Sequence, residues 1–348
     1  MTTKTSRQPT VVDALPKAEL HLHLEGSIRP ETASELARRH GTKITPEEVA
    51  ARYNYADFSG FIEAFKWVTS YLRGPEDYAL ITRNLANELL RQNVVYAEVT
   101  LSVGVMLRRM QDVEANFAAI RETAESVPFR NLKIAWIFDA ARQWGAQAAM
   151  QVAQIAAKLQ RSGVIAFGMG GDELALPTVN FRPAFDYARS EGLRLVCHAG
   201  EVGSAESVRE AIDILGAERI GHGIAVMNDS ALAERLHARR VVLENCISSN
   251  ICTGALAKQI KKPSAIAAEH PLRQFVEKGV PVTLSTDDPS MFHTDLLSEY
   301  SLAASLGLDN RQLVALAEQS FLASFLHAEE KRRLLDEFRA AAKSAGLV

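Results

Sequence analysis

The chain has little of what would mark a disulfide-stapled, membrane-spanning or nucleic-acid-binding protein. Its three cysteines, Cys197, Cys246 and Cys252, are an odd number and form no C-x-x-C pair. That suits a reducing cytoplasm, and cytoplasmic localisation is expected, better than a disulfide framework. No apolar run reaches 18 residues, so neither a transmembrane helix nor a membrane partner is expected. Basic residues are not in excess, with 39 Lys and Arg against 42 Asp and Glu. A nucleic-acid partner would need a strongly basic face, and none is expected. The opening MTTKTSRQPT lacks the apolar stretch of a secretory signal. Residues 1–12 read as a loose tail ahead of one domain, 13–348. Internal repeats, low-complexity tracts and composition shifts are absent.

What is present is a sizeable apolar fraction, 47% of 348 residues, enough for a large core. Eight short β-rich runs recur, at 18–23, 94–101, 133–138, 164–168, 194–198, 219–221, 241–244 and 280–285. Amphipathic segments such as 78–91, 113–125, 146–160, 205–215 and 271–278 lie between them. Strand alternating with helix predicts βαβ units and a parallel sheet. Eight units fit an α/β fold of the (β/α)8 TIM-barrel type, with a doubly wound open sheet as the alternative. Pro281 cannot donate to a ladder, but its place near the start of the eighth run is tolerable. The long insertion after the first strand holds YADFSGFIEAFKWVTSYL, and the C-terminal helices after Leu296 read as an appended cap.

Four polar clusters fall where strands end: His21 and His23, then CHAGE (197–201), IGHG (220–223) and STDDP (285–289). In such a barrel, chemistry gathers at the C-terminal ends of the strands. Residues i and i+2 of a strand share a face, so His21 and His23 point the same way. Imidazoles with a carboxylate suit zinc or a similar divalent ion, and His198 and Asp287 complete a ligand set. Each cluster alone is weak. A lone histidine or an Asp-Asp pair is more often a loop or a helix start, and Cys197 reads as a small core residue. The coincidence at strand ends carries the reading. A metal of this kind makes a bound water acidic enough to react near neutral pH. Glu201 could then shuttle a proton. His222 could orient the water or stabilise developing charge. Asp288 could hydrogen-bond the substrate or take the water's proton. The residue types thus point to metal-assisted hydrolysis.

ELHLHLEGS, GGDE (170–173), HAGE, GHG and STDDP, in this order and spanning about 16–295, resemble the adenosine deaminase family of the amidohydrolase superfamily. The resemblance implies a barrel with one Zn2+ per chain, held by His21, His23, His198 and Asp287. It implies Glu201 as proton donor to purine N1 and His222 as the residue that holds the attacking water. It further implies Asp288 at N7, the Gly171 N–H at N3, and Ser249 as support for the ligands. The implied reaction is hydrolysis of a 6-amino group, releasing ammonia from a small-molecule purine nucleoside. The strand-four end FGMGGDE has no lysine to bridge a second ion, and the cysteine pair of the other zinc deaminases is missing.

Glu25 departs from the family pattern, which has aspartate at the contact with the ribose 5′-hydroxyl. The longer side chain moves the carboxylate by about 1.5 Å, enough to matter in positioning substrate. The substrate is then adenosine or a 5′-extended adenosine such as 6-aminodeoxyfutalosine. Relatives that deaminate free adenine carry glutamate there but usually lack GDE, so a nucleoside is favoured. Phe58, Phe61, Phe65 and Trp67, near helical spacing, read as a helix packed on the barrel that also forms a lid. Deamination of free adenine, another mononuclear hydrolase acting on a cyclic amide, and a silent nucleoside binder are the competing readings. The sequence leaves the oligomeric state open.

Overall fold

A computed structural model describes residues 7–347. Eight strands run β1 Lys17–His23, β2 Val94–Leu101, β3 Lys133–Ala141, β4 Val164–Gly170, β5 Arg194–Ala199, β6 Arg219–His222, β7 Val242–Asn245 and β8 Val282–Leu284. All pair in parallel and in chain order, each with the next. Sequential order excludes the doubly wound alternative, whose strand order reverses at a switch point.

The ring closes through a seam rather than a full ladder. The His23 N–H donates to the Asp287 carbonyl at 2.8 Å, and the Asp287 N–H donates to the His21 carbonyl at 3.0 Å. One parallel bridge, Leu22 to Asp287, accompanies them. The eighth strand is shorter than the run 280–285. Pro281 sits just outside it, where only its carbonyl is used, accepting from the Leu243 N–H at 2.9 Å. The third and fourth strands outrun their expected ends, reaching Ala141 and Gly170.

Helices wrap the ring, as buried parallel strands require. β1 is buried at all seven positions. Four helices fill the insertion after it: Pro30–Arg39, Pro46–Arg52, Phe58–Thr69 and Pro75–Arg91. Local chemistry sets their starts. Thr45 and Glu48 form a capping box, and the Asp57 carboxylate accepts from the Gly60 N–H.

Two expectations change. The loose tail does not reach residue 12: Val12 is fully buried, and the buried Lys17 Nζ donates to the carbonyls of Val12, Asp13 and Leu15 at 3.0, 3.0 and 2.6 Å. Residues 1–6 lie outside the described residues. Nor are the C-terminal helices wholly an appendage. Asn310–Ala323 packs on both β8 and β1 and so covers the seam.

Below the mouth the interior is charged. Arg219, 1% exposed, donates to Glu98 at 2.5 Å and to Glu244 at 2.6 Å, and its Nη1 donates to the Ala323 carbonyl at 3.0 Å. Its guanidinium lies 3.7 Å from the Phe325 ring centroid. Arg219→Leu strands two buried carboxylates, and we expect a loss of about 3–5 kcal/mol. A shift of the urea unfolding midpoint measures it, and an unshifted midpoint contradicts the account.

Candidate active site

The four clusters converge at the C-terminal mouth. One potential ligand atom from each of His21, His23, His198 and Asp287 lies within 4.8 Å of the others. Strand pleating brings the two β1 imidazoles to a ring separation of 5.5 Å, and His198 from β5 stands 4.6 Å from His21. Asp287 Oδ1 is 3.4 Å from His21 Nε2 and 3.5 Å from His23 Nε2.

Each of three ligand side chains is oriented by a partner on the far side, as metal-binding groups commonly are. His21 Nδ1 bonds Glu244 Oε2 at 2.8 Å, which places a proton on Nδ1 and turns Nε2 to the cluster. Burial lowers the His21 pKa, but Asp287 and Glu244 outweigh it and raise it to about 10, so an ion would have to displace a proton from Nε2. His198 Nδ1 bonds the Met169 carbonyl at 3.2 Å, which likewise places a proton on Nδ1. Ser249 Oγ donates to Asp287 Oδ2 at 2.7 Å, leaving Oδ1 to face the imidazoles. The Nε2 atoms of His21 and His23 are buried with no hydrogen-bond partner. Buried polar atoms normally find partners, so these orphans fit an ion in the space between them. Burial pushes His23 and His198 down to about 3, which keeps both neutral, the form that ligates a metal.

The backbone bends to make this arrangement. Asp287 and His222 both have positive φ, 64° and 61°, in a region where non-glycine residues are strained. Two glycines make room. A Cβ on Gly221 would stand 2.7 Å from His21 Cε1, and one on Gly26 would stand 1.8 Å from Asp288 Oδ1. Gly26 therefore explains the glycine of HLEGS.

Beside the cluster, His222 Nε2 is 3.7 Å from both Glu201 and Asp287. A chain of bonds sets its tautomer. The Leu272 N–H donates to His270 Nδ1 at 3.2 Å, so His270 Nε2 carries the proton and faces Asn250 Oδ1 at 3.1 Å. The Asn250 amide then donates to His222 Nδ1 at 3.0 Å, which leaves an Nε2–H on His222 aimed at Glu201 and Asp287. Burial raises Glu201 well above the carboxylate range, helped by Asp287 and Glu173, which favours its protonated form. Asp288 is likewise raised by burial and by Asp287, and its Oδ1 has no partner.

These groups lie along one cavity that opens to solvent. Gly171, Asp287, Asp288, Glu201 and His222 line its polar side, and Phe58, Phe61, Phe65, Val105 and Trp144 its apolar side. Two site expectations are corrected. Trp67 does not face the cavity; it lies under the Arg52 guanidinium at 4.4 Å, because helical spacing turns it away from the face of Phe58, Phe61 and Phe65. Glu25 does not line the cavity either. It starts a short 3-10 turn, is 1% exposed, and accepts from the Ser102 N–H at 3.1 Å, so Ser102 stands at the wall in front of it. Burial lifts Glu25 to about 7, and its Oε2 has no partner.

Sequence reasoning missed Asp139, Trp144, Glu244, Asn250 and His270. Asp139 lines the cavity from the end of β3, and burial lifts it to about 8. Ending the third strand at 138 hid it; had the strand been run on to its true end, Asp139 would have fallen at the mouth. Glu244, Asn250 and His270 carry no local signal for the site, since the side chains that tie them to it lie 20 or more residues away.

A (β/α)8 barrel with an imidazole–carboxylate cluster at its C-terminal mouth is the architecture of the amidohydrolase-superfamily deaminases. The chain belongs to the adenosine deaminase family, whose model, described as adenosine deaminase, matches residues 16–341. It is 40% identical to an aminodeoxyfutalosine deaminase of Streptomyces avermitilis, over 94% of this chain and 91% of that protein. It is 35% identical to an adenine deaminase of Rhizobium leguminosarum bv. trifolii, over 92% of this chain and 98% of that protein. Its fold matches the crystal structure of adenine deaminase from Arthrobacter aurescens with a TM-score of 0.86 and 28% identity, covering 95% of this chain and 100% of that one.

Glu244 should tune the cluster through His21. Glu244→Gln removes the charged acceptor, and zinc affinity measured by chelator competition should fall about 10- to 100-fold. Unchanged affinity would mean that Glu244 serves the Arg219 network alone.

Proposed function

We propose that the chain hydrolyses the 6-amino group of an adenine nucleoside, with a 5′-extended adenosine such as aminodeoxyfutalosine as the preferred substrate. The observation that carries deamination is the grouping at one cavity of the imidazole–carboxylate cluster, Glu201 and the Nε2–H of His222. A bound zinc ion, held by His21, His23, His198 and Asp287, would supply a nucleophilic water at neutral pH.

The chain's own residues do the rest. The Glu201 carboxyl donates its proton to purine N1, which makes C6 electrophilic. His222, fixed as an Nε2 donor, orients the attacking water and stabilises the charge that develops at C6. The protonated Asp288 donates to N7, and the Gly171 N–H donates to N3. Phe58, Phe61 and Phe65 cover the base and keep bulk water out. Glu25 acts on the sugar end by fixing Ser102 at the wall.

The preference for a 5′-extended nucleoside rests on the 40% identity with the Streptomyces enzyme. A second reading, deamination of free adenine, is favoured by the similarity to the Rhizobium and Arthrobacter enzymes. Initial rates on adenosine, 2′-deoxyadenosine, adenine and 5′-substituted adenosines decide between them, read beside a zinc determination. About one zinc per chain is expected, with kcat/KM highest for a 5′-substituted adenosine. Highest kcat/KM on adenine selects the second reading, and no turnover of any 6-aminopurine rejects both. Glu201→Gln should lower kcat by about 10²- to 10⁴-fold with zinc retained.

A further inference from the structure

The Glu201 loop is held from both sides of its backbone. On one side is Glu173, which follows β4 and is 7% exposed. Its carboxylate accepts four successive backbone N–H groups: Gly200 at 2.5 Å on Oε1, and Glu201, Val202 and Gly203 at 3.1, 3.0 and 2.8 Å on Oε2. Successive N–H groups converging on one anion form a backbone nest, and charge-assisted bonds of this kind are the strong ones. On the other side is Gln259, at the end of the helix Ala255–Gln259 that follows β7. Its Nε2 donates to the Glu201 carbonyl at 2.9 Å and to the Gly203 carbonyl at 2.6 Å. The Ala225 N–H, after β6, takes the Gly200 carbonyl at 2.9 Å.

The sequence of the loop is built for this grip. Gly200 has φ +69°, and a Cβ there would meet Val208 Cγ2 at 2.5 Å. A Cβ on Gly203 would meet Glu173 Oε1 at 2.4 Å. The two glycines of G-E-V-G let the chain close around the carboxylate. The Glu201 peptide is thereby held at its N–H and at its C=O by residues from two other strand ends, which fixes the base of the side chain that must reach the purine. Misplacement of a catalytic group by about 1 Å can cost about 10²-fold in rate.

We propose that Glu173 and Gln259 are positioning residues for Glu201, clamping its backbone so that its carboxyl is preset for proton transfer; this rests on the reading of Glu201 as the proton donor. Glu173 does not line the cavity, and its contacts with Glu201 are to the backbone of the loop.

The test uses the zinc-loaded full chain. Glu173→Gln keeps the shape but sets an amide N–H2 against backbone N–H groups. It should lower kcat about 10- to 100-fold, with KM and zinc content near those of the parent. Hydrogen–deuterium exchange should rise in the 199–204 segment and stay unchanged around His21 and His23. In a Glu201→Gln background, Glu173→Gln should remove little more. Gln259→Leu, at a half-buried position, should give a smaller loss of the same kind if Glu173→Gln does not fold. Parent-like kcat with faster loop exchange overturns the proposal. So does parent-like exchange, a loss of zinc in step with the loss of kcat, or a loss that adds in full to that of Glu201→Gln. Full activity in Glu201→Gln alone overturns instead the assignment of Glu201, so the two failures are separable.

Discussion

The pairing of β1 with the residue after β8 is the constraint on which the rest depends. The N–H of His23 and the carbonyl of His21 are the groups that close the barrel onto Asp287. Three of the four ligand side chains therefore hang from the same seam. A barrel that failed to close would scatter the cluster, and a displaced cluster would pull on the closure. The positive φ of Asp287 shows where the tension sits, at the one residue that is both seam and ligand. Strain of that order, about 1–3 kcal/mol, persists only where the surroundings over-determine it. Here the Ser249 hydroxyl, the two backbone bonds and the covering helix Asn310–Ala323 do so.

Below the seam a second set of interactions links stability to the site. Arg219 holds Glu244, and Glu244 holds His21. The same guanidinium reaches the Ala323 carbonyl and lies against Phe325, so the C-terminal helices are connected to a ligand imidazole by three consecutive contacts. Buried ion pairs are poor sources of net stability because desolvation offsets their attraction. Their value in this barrel is directional. Glu244 is held well below the carboxylate range: burial opposes this, but Arg219 and His21 outweigh it. It stays ionised and keeps the His21 proton on Nδ1.

The mouth of the barrel runs on the opposite electrostatic rule. Glu201, Asp288, Asp139 and Glu25 are all shifted upward, with burial as the main cause in each. Two carboxylates of one short sequence, Asp287 and Asp288, thus separate in character. Asp287 is held well below the carboxylate range, since His21 and His222 overcome the burial that would raise it, while burial and Asp287 push Asp288 well above it. Pushing neighbouring titratable groups apart in this way is how one site supplies both a ligand and a hydrogen-bond donor.

The sequence by itself determined the eight-strand alternation, the parallel barrel and the polar residues that meet at its mouth. Those signals are local: β-rich runs of period two, helical runs between them, and polar residues placed at strand ends, where a barrel gathers them. HLHLEGS stated the paired imidazoles in full, because i and i+2 on a strand share a face whatever surrounds them. What only the tertiary structure decided was each residue's partner and facing. Trp67 shared the spacing of the lid phenylalanines but turned to Arg52. Glu25 lay next to the ligands in sequence yet stands behind Ser102. Val12 was counted with the tail and is core. Glu173 was visible in GGDE, but its four N–H partners are contributed by a loop 27 to 30 residues further on. Periodicity fixes which side of an element a residue faces. It carries no information on what another element, folded against that side, will present to it.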